Sequence, residues 1–143
     1  MTAMHDKAMF RKLGEHHANI RAGIAEIRHH CEAVTPDVAG LGAARLRLSK
    51  ASAARSKFVA DEVVPKVRQV ADERLRGELT EMQRAFAAKR LKSSEHVTVW
   101  SSAAIEKDWQ GYRAAARQIW AMMEEQMARE SRVLGQRLKP PNQ

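Results

Sequence analysis

Cysteine occurs once in this chain, at Cys31, so no internal disulfide can brace the fold. Prolines (four) and glycines (seven) are few and gather at a handful of places, a poor match to the repeated turns of a sheet protein. Aromatic residues make up only 5%, too sparse for the stacking platform that single-stranded nucleic acid needs. No apolar run approaches the roughly 20 residues that a membrane-spanning helix requires, so no membrane association is expected. The first residues, MTAMHDKAMFRKLGEHH, carry charges and histidines where a secretory signal needs a continuous apolar stretch. With a lone cysteine and no such signal, the expected compartment is the cytoplasm.

What is present is ordinary globular material. The 143 residues fit one domain, 1–143, and hydrophobic residues at 44% suffice to build a core. The net charge is +8, but acidic residues interrupt the basic ones along the whole chain. No block of like charge forms, and no helix-turn-helix signature accompanies the excess, so the charge reads as solvated helix faces and nucleic acid is not an expected partner.

Apolar spacing predicts four helices. The first runs from about Met4 to Glu32, with Phe10, Leu13, Ile20, Ile24, Ile27 and Cys31 on one face. His17 fills the gap in the three-four alternation and so belongs to the core face. Thr35-Pro36-Asp37, Gly40 and Gly42 are expected to form the following turn. The second helix, about Ala43 to Ala71, carries Leu48, Ala51, Arg55, Phe58 and Glu62, with Val59 and Val63 beside them. Pro65 should bend or break it, because proline lacks a donor and crowds the preceding turn. The third starts near Asp72, places Leu75, Leu79, Met82 and Phe86 inward, and continues past a candidate kink at Ser93-Ser94 to His96, Val97 and Trp100. The fourth starts near Glu106, with Tyr112, Ala116, Ile119, Met123, Gln126, Glu130 and Val133 in register. Trp100, Trp109 and Tyr112 should pack the turn between the last two helices. Pro140-Pro141 suggests a short disordered tail over 139–143. The pattern implies an all-α, antiparallel up-down-up-down four-helix bundle, and small bundles of this kind commonly pair through apolar faces, which makes a homodimer compatible with the sequence.

The inner faces carry polar residues: His17, Arg55, Glu62, His96, Gln126 and Glu130. Such groups are costly to bury unless they meet one another. A shared layer of His17, Arg55, Glu62, Gln126 and Glu130 would satisfy that condition. Helical bundles also build metal centres from inward histidines and carboxylates, often one turn apart. His16 should be solvated, and His29 and His30 should complement the dipole at the end of the first helix. Cys31 reads as a small core hydrophobe.

At this level the chain resembles the hemerythrin-like, or HHE cation-binding, proteins, and among them a divergent bacterial branch. LGEHHANIR resembles the family's Leu-x-x-x-His-x-x-Ile-Arg, which places the ligand histidine at His17. ARLRLSKASAARSKFVADEVVP resembles the segment ending in His-x-x-x-Glu-Asp-x-x-x-Tyr-Pro, with the family's His falling on Arg55 and its Glu on Val59. EHVTVWSSAAIEKDWQGYR matches through Trp100, Ile105, Trp109 and Tyr112. QMARESRVLGQRL resembles the second His-x-x-x-Glu segment, with Gln126 at the histidine, Glu130 kept, and Gly135-Gln136 in place of Tyr-Pro.

The resemblance implies a dinuclear metal site, and the substitutions undermine it. Arginine stays protonated and offers no lone pair, and valine has no donor atom. The expectation is a non-enzymatic binding, sensing or structural module with a degenerate site and no cofactor, in which Arg55 takes over the electrostatic part of the metal. The alternative is a metal- or oxygen-binding protein that holds iron through the reduced set His17, His96 and Glu130. Catalysis has no support from a nucleophile–base pair or a phosphate loop.

Overall fold

A computed structural model of the chain describes residues 2–138, with side chains described from Lys7 to Gly135. The tail expected over 139–143 lies outside the described residues. Among the described residues the regular structure is entirely helical: α1 (Thr2–Cys31), α2 (Val38–Phe58), a π-helical turn (Val59–Val63), α3 (Val64–Val70), α4 (Glu73–Val99), α5 (Ser102–Lys107) and α6 (Trp109–Leu138). No helix among them is long and apolar enough to cross a membrane.

The helix boundaries follow from capping side chains. Asp37 accepts from the backbone N–H of Gly40 (3.1 Å) and starts α2 at Val38, earlier than the expected Ala43, so Gly40 and Gly42 lie inside the helix rather than in the turn. Asp72 accepts from the N–H of Leu75 (2.8 Å) and starts α4 where the sequence placed it. The expected single start near Glu106 is instead a double start. Ser101 caps the short α5, and Asp108 then accepts from Gly111 N–H (2.9 Å) to begin α6. A Cβ at Gly111 would lie 2.2 Å from the Asp108 carboxylate, so the cap and the glycine belong together. α4 runs unbroken through Ser93-Ser94.

Pro65 interrupts the regular α-helix locally, through a π turn rather than an end to the helical path. It stands in the first turn of α3, immediately after the π turn, in which the N–H of Val64 reaches back five residues to the carbonyl of Val59. The widened turn accommodates the missing donor and the ring without ending the helical path. It also inserts one residue into the inward-facing stripe. Phe58 and Val59 are followed inward by Val63, Val64 and Val67, and Glu62 is turned outward.

α1 packs against α2 and α6, and α4 packs against α6. Glu26 faces Arg47 across α1 and α2, Lys12 of α1 faces Glu62 of the π turn, and Lys89 faces Glu125 across α4 and α6. Gly23 lets α1 and α2 approach closely, because a Cβ there would meet the Leu48 side chain at 2.9 Å. The apolar interior falls into two clusters. One gathers Leu13, Phe58, Val63, Leu79, Met82 and Leu134, and the other Ile20, Ile24, Leu41, Ile105, Tyr112 and Met127. Trp109 stacks on Tyr112 (5.8 Å between centroids) and Trp100 meets it edge-on, as the turn required, while Val97 is exposed. Replacing Asp108 with Ala should lower stability by about 1 kcal/mol through loss of the α6 cap, read as a lower urea midpoint at unchanged slope.

Candidate functional site

Between the two apolar clusters lies a polar layer. On α1, His17 separates Leu13 of one cluster from Ile20 of the other; on α6, Glu130 separates Val133 from Met127; on α2, Arg55 separates Phe58 from Leu48. Glu130 has no exposed surface, His17 is 3% exposed and Arg55 is 4% exposed. Each residue occupies an inward register position of its helix, so helical periodicity alone brings them to the same interior.

Glu130 is the centre of the layer. Its Oε1 lies 2.7 Å from His17 Nε2, and its Oε2 accepts from Nη1 of Arg55. A carboxylate accepts and does not donate, so His17 carries its proton on Nε2 in this arrangement. The second guanidinium nitrogen of Arg55 donates to Ser56 Oγ (2.9 Å), and the group sits 5.3 Å from the ring centroid of Phe86. Gln126, one turn before Glu130, is also buried. A small cavity of about 120 Å³ adjoins the layer, lined among others by Arg55, Val59, Phe86, Gln126 and Glu130.

Two residues expected in the site are elsewhere. Glu62 is more than half exposed and faces Lys12 at 3.9 Å, because the π turn shifts the stripe past it. His96 does not join His17 and Glu130. It packs on Tyr112 (5.7 Å between ring centroids), and Tyr112 precedes Glu130 by five turns of α6, about 27 Å along the helix axis. His16, expected to be solvated, is partly covered and lies 5.0 Å from the Phe58 ring; burial is the main cause that lowers its pKa. His29 is exposed in the last turn of α1, as expected, and Cys31 is buried with its thiol pKa raised by burial.

The layer does not fit a dinuclear metal centre. Both oxygens of Glu130 are already engaged, one by a guanidinium that a cation would have to displace, and Val59 contributes no donor. Among the described residues no three His, Cys, Asp or Glu side chains gather as they would around an ion. The layer is chemically a closed ion-pair and hydrogen-bond network, whose members satisfy one another.

The sequence reading passed over Arg45, which lies one turn from Leu41 and from Leu48 and therefore on the apolar face of α2. Its Nη1 donates to the carbonyl of Trp100 (2.7 Å), and its guanidinium lies 5.5 Å from the Tyr112 ring centroid. The signal was available as a cation at an inward register position. Compared with known protein families, with curated proteins and with solved structures, the chain shows no match.

Removing Arg55 alone, as Arg55→Met, leaves a buried carboxylate without its guanidinium and should cost about 3–5 kcal/mol; Glu130→Gln should be costly for the complementary reason. Combining Arg55→Met with His17→Leu and Glu130→Leu removes the charges together and should recover most of that loss in the same urea titration. A further expectation concerns acid. Burial, and secondarily Arg45, hold the His96 pKa down to about 4 from its ordinary 6.5. Between those values the unfolded chain binds a proton that the folded chain refuses, so stability falls as pH drops from about 6.5 towards 4 and is unaffected above that window. A His96→Gln variant should flatten that part of the stability–pH profile.

Proposed function

We propose that the chain is a hemerythrin-like, antiparallel up-down-up-down four-helix bundle in which an ion-pair layer stands where the family holds its dinuclear metal, and that it works as a non-enzymatic binding, sensing or structural module. The observation that carries this reading is the contact between Arg55 and Glu130 at zero exposure of the carboxylate. The resemblance assigns both positions, and that of His17, to metal ligands. The three side chains meet in one buried layer, as ligands of one centre would, but with a fixed cation on Arg55 in place of an ion. Contacts run in opposite senses along neighbouring helices, which supports the antiparallel arrangement: from α1 to α6, Cys31 meets Arg113 while His17 meets Glu130, and from α4 to α6, His96 meets Tyr112 while Lys89 faces Glu125.

An arginine serves this purpose physically. It keeps its charge at any pH the protein meets, needs no supply from outside, and forms directed hydrogen bonds to the carboxylate. The interior then retains the register that a metal layer would impose, without redox or oxygen chemistry of its own.

The test is elemental analysis of untagged protein expressed with supplemented iron and manganese and purified without chelator. Less than about a tenth of an equivalent of any transition metal is expected. Near one or two equivalents of iron would overturn the reading and return His17 and Glu130 to the role of ligands. A second arm tests the positional correspondence. The combined variant Arg55→His, Val59→Glu, Gln126→His should take up about one equivalent of iron or more, and a folded variant that takes up none would show that these positions do not form a ligand shell.

A further inference from the structure

α2 and α4 are held apart over much of their length, and the gap between them is a cavity of about 640 Å³, within the size range of small-molecule sites. Leu48 and Ala116 form its floor, and Ile119, Trp120 and Met123 give it an apolar flank on α6. Ile119 and Met123 belong to the inward stripe of α6 and Trp120 lies beside it, and all three are only partly buried. Hydroxyls of Ser49, Ser52, Ser56 and Ser93 are interspersed along the opposite walls.

The charge of the lining is one-sided. Arg45, Lys57 and Arg90 line the cavity, and no Asp or Glu does. Lys57 is answered by Asp61 at 3.1 Å, outside the cavity. Arg45 is not answered. One guanidinium nitrogen, Nη1, is spent on the Trp100 carbonyl, and a second, Nη2, is buried with no acceptor among the described residues. The Tyr112 ring beneath it offers a π face but no carboxylate. Its neighbours supply no counter-charge: His96 has its pKa held down to about 4 and is neutral, and Tyr112, pushed up to about 12 by burial, remains a phenol. A buried cationic donor without an acceptor is costly; Nη2 is closed off as the side chain stands, but Arg45 as a whole is only part-buried, and a turn of the guanidinium towards an anion in the cleft removes the cost.

We infer that the cleft between α2 and α4 binds an amphipathic carboxylate, of the chemical class of a medium-chain fatty acid, with its head group on Arg45 and its chain along Leu48, Ile119, Trp120 and Met123. From Tyr112 to Met123 the flank extends about 16 Å along α6, enough for a medium-chain acyl group. The Ser52, Ser56 and Ser93 walls are shared with the small cavity beside Glu130, so the far end of the cleft abuts the polar layer. The inference stands on the cleft alone and does not depend on the origin of the polar layer.

The experiment is calorimetric titration of the full chain with decanoate, octanoate and decanol below their aggregation limits, with tryptophan fluorescence as a parallel readout of Trp120. Decanoate should bind saturably at one site. Decanol, of matched chain length without the charge, should bind about tenfold more weakly or worse. Octanoate, two methylenes shorter, should bind on the order of tenfold more weakly than decanoate. Arg45→Gln should abolish the preference for decanoate over decanol while leaving decanol binding in place. Equal affinities of decanoate and decanol for the unaltered protein would overturn the inference without recourse to any variant. Absence of saturable decanoate binding, or a folded Arg45→Gln protein that keeps the preference, would overturn it as well.

Discussion

The carboxylate of Glu130 has no exposed surface, and the interior is arranged around what that requires. An isolated buried carboxylate is among the costliest groups a protein can hold. Glu130 is tolerated because α1 brings His17 to one oxygen and α2 brings Arg55 to the other. Directed partners of this kind constrain geometry more tightly than apolar contacts do, since a helix that slides by one turn loses its hydrogen bond outright. The layer thus ties the axial positions of α1, α2 and α6 to one another, while the apolar clusters on either side of it supply the bulk of the driving force for folding. Its contribution is to register more than to net stability, consistent with the near balance between desolvation and attraction in buried ion pairs.

The same helices that close tightly on the layer leave a gap further along. Gly23 lets α1 and α2 meet closely at Leu48, and α6 packs against both α1 and α4. α2 and α4 have no comparable contact, and the cleft between them is the outcome. Its apolar flank comes from the α6 stripe, and its charge comes from Arg45 on the α2 stripe. Two cations on inward register positions of one helix therefore have opposite surroundings. Arg55 is fully answered by Glu130, Ser56 and Phe86, while Arg45 keeps a buried donor unanswered. That contrast, and not the count of positive charges, distinguishes a structural arginine from one available to a ligand.

The π turn before Pro65 shows how a single local device redirects a whole face. With constant helical spacing, Glu62 follows Phe58 on the inward stripe. The wider turn advances the stripe by one residue, so Val63 takes the interior and Glu62 goes to solvent beside Lys12. The valine positions 59, 63, 64 and 67 then complete the apolar cluster beneath the polar layer. Periodicity could not reveal this, because it assumes the spacing that the π turn alters. The proline was visible; how the chain would accommodate it was not. The double start at Ser101 and Asp108 was passed over for a different reason. Both capping residues stood in the sequence, but a six-residue helix is too short to announce itself through an apolar stripe.

The sequence by itself determined the helical character of the chain, the inward positions of His17, Arg55, Gln126 and Glu130, and the aromatic turn around Tyr112. These follow from spacing along single helices and from side chains that suit a helix interior, which are local properties. Only the tertiary structure decided which inward polar groups meet. His96 shares an inward face in sequence yet stands far along α6 from Glu130, because the axial position of a side chain depends on how one helix lies against another. The open α2–α4 gap and the unanswered donor of Arg45 belong to the same class. They arise from the distance between helices, which is set by the packing of every side chain between them and is written in no single segment of the chain.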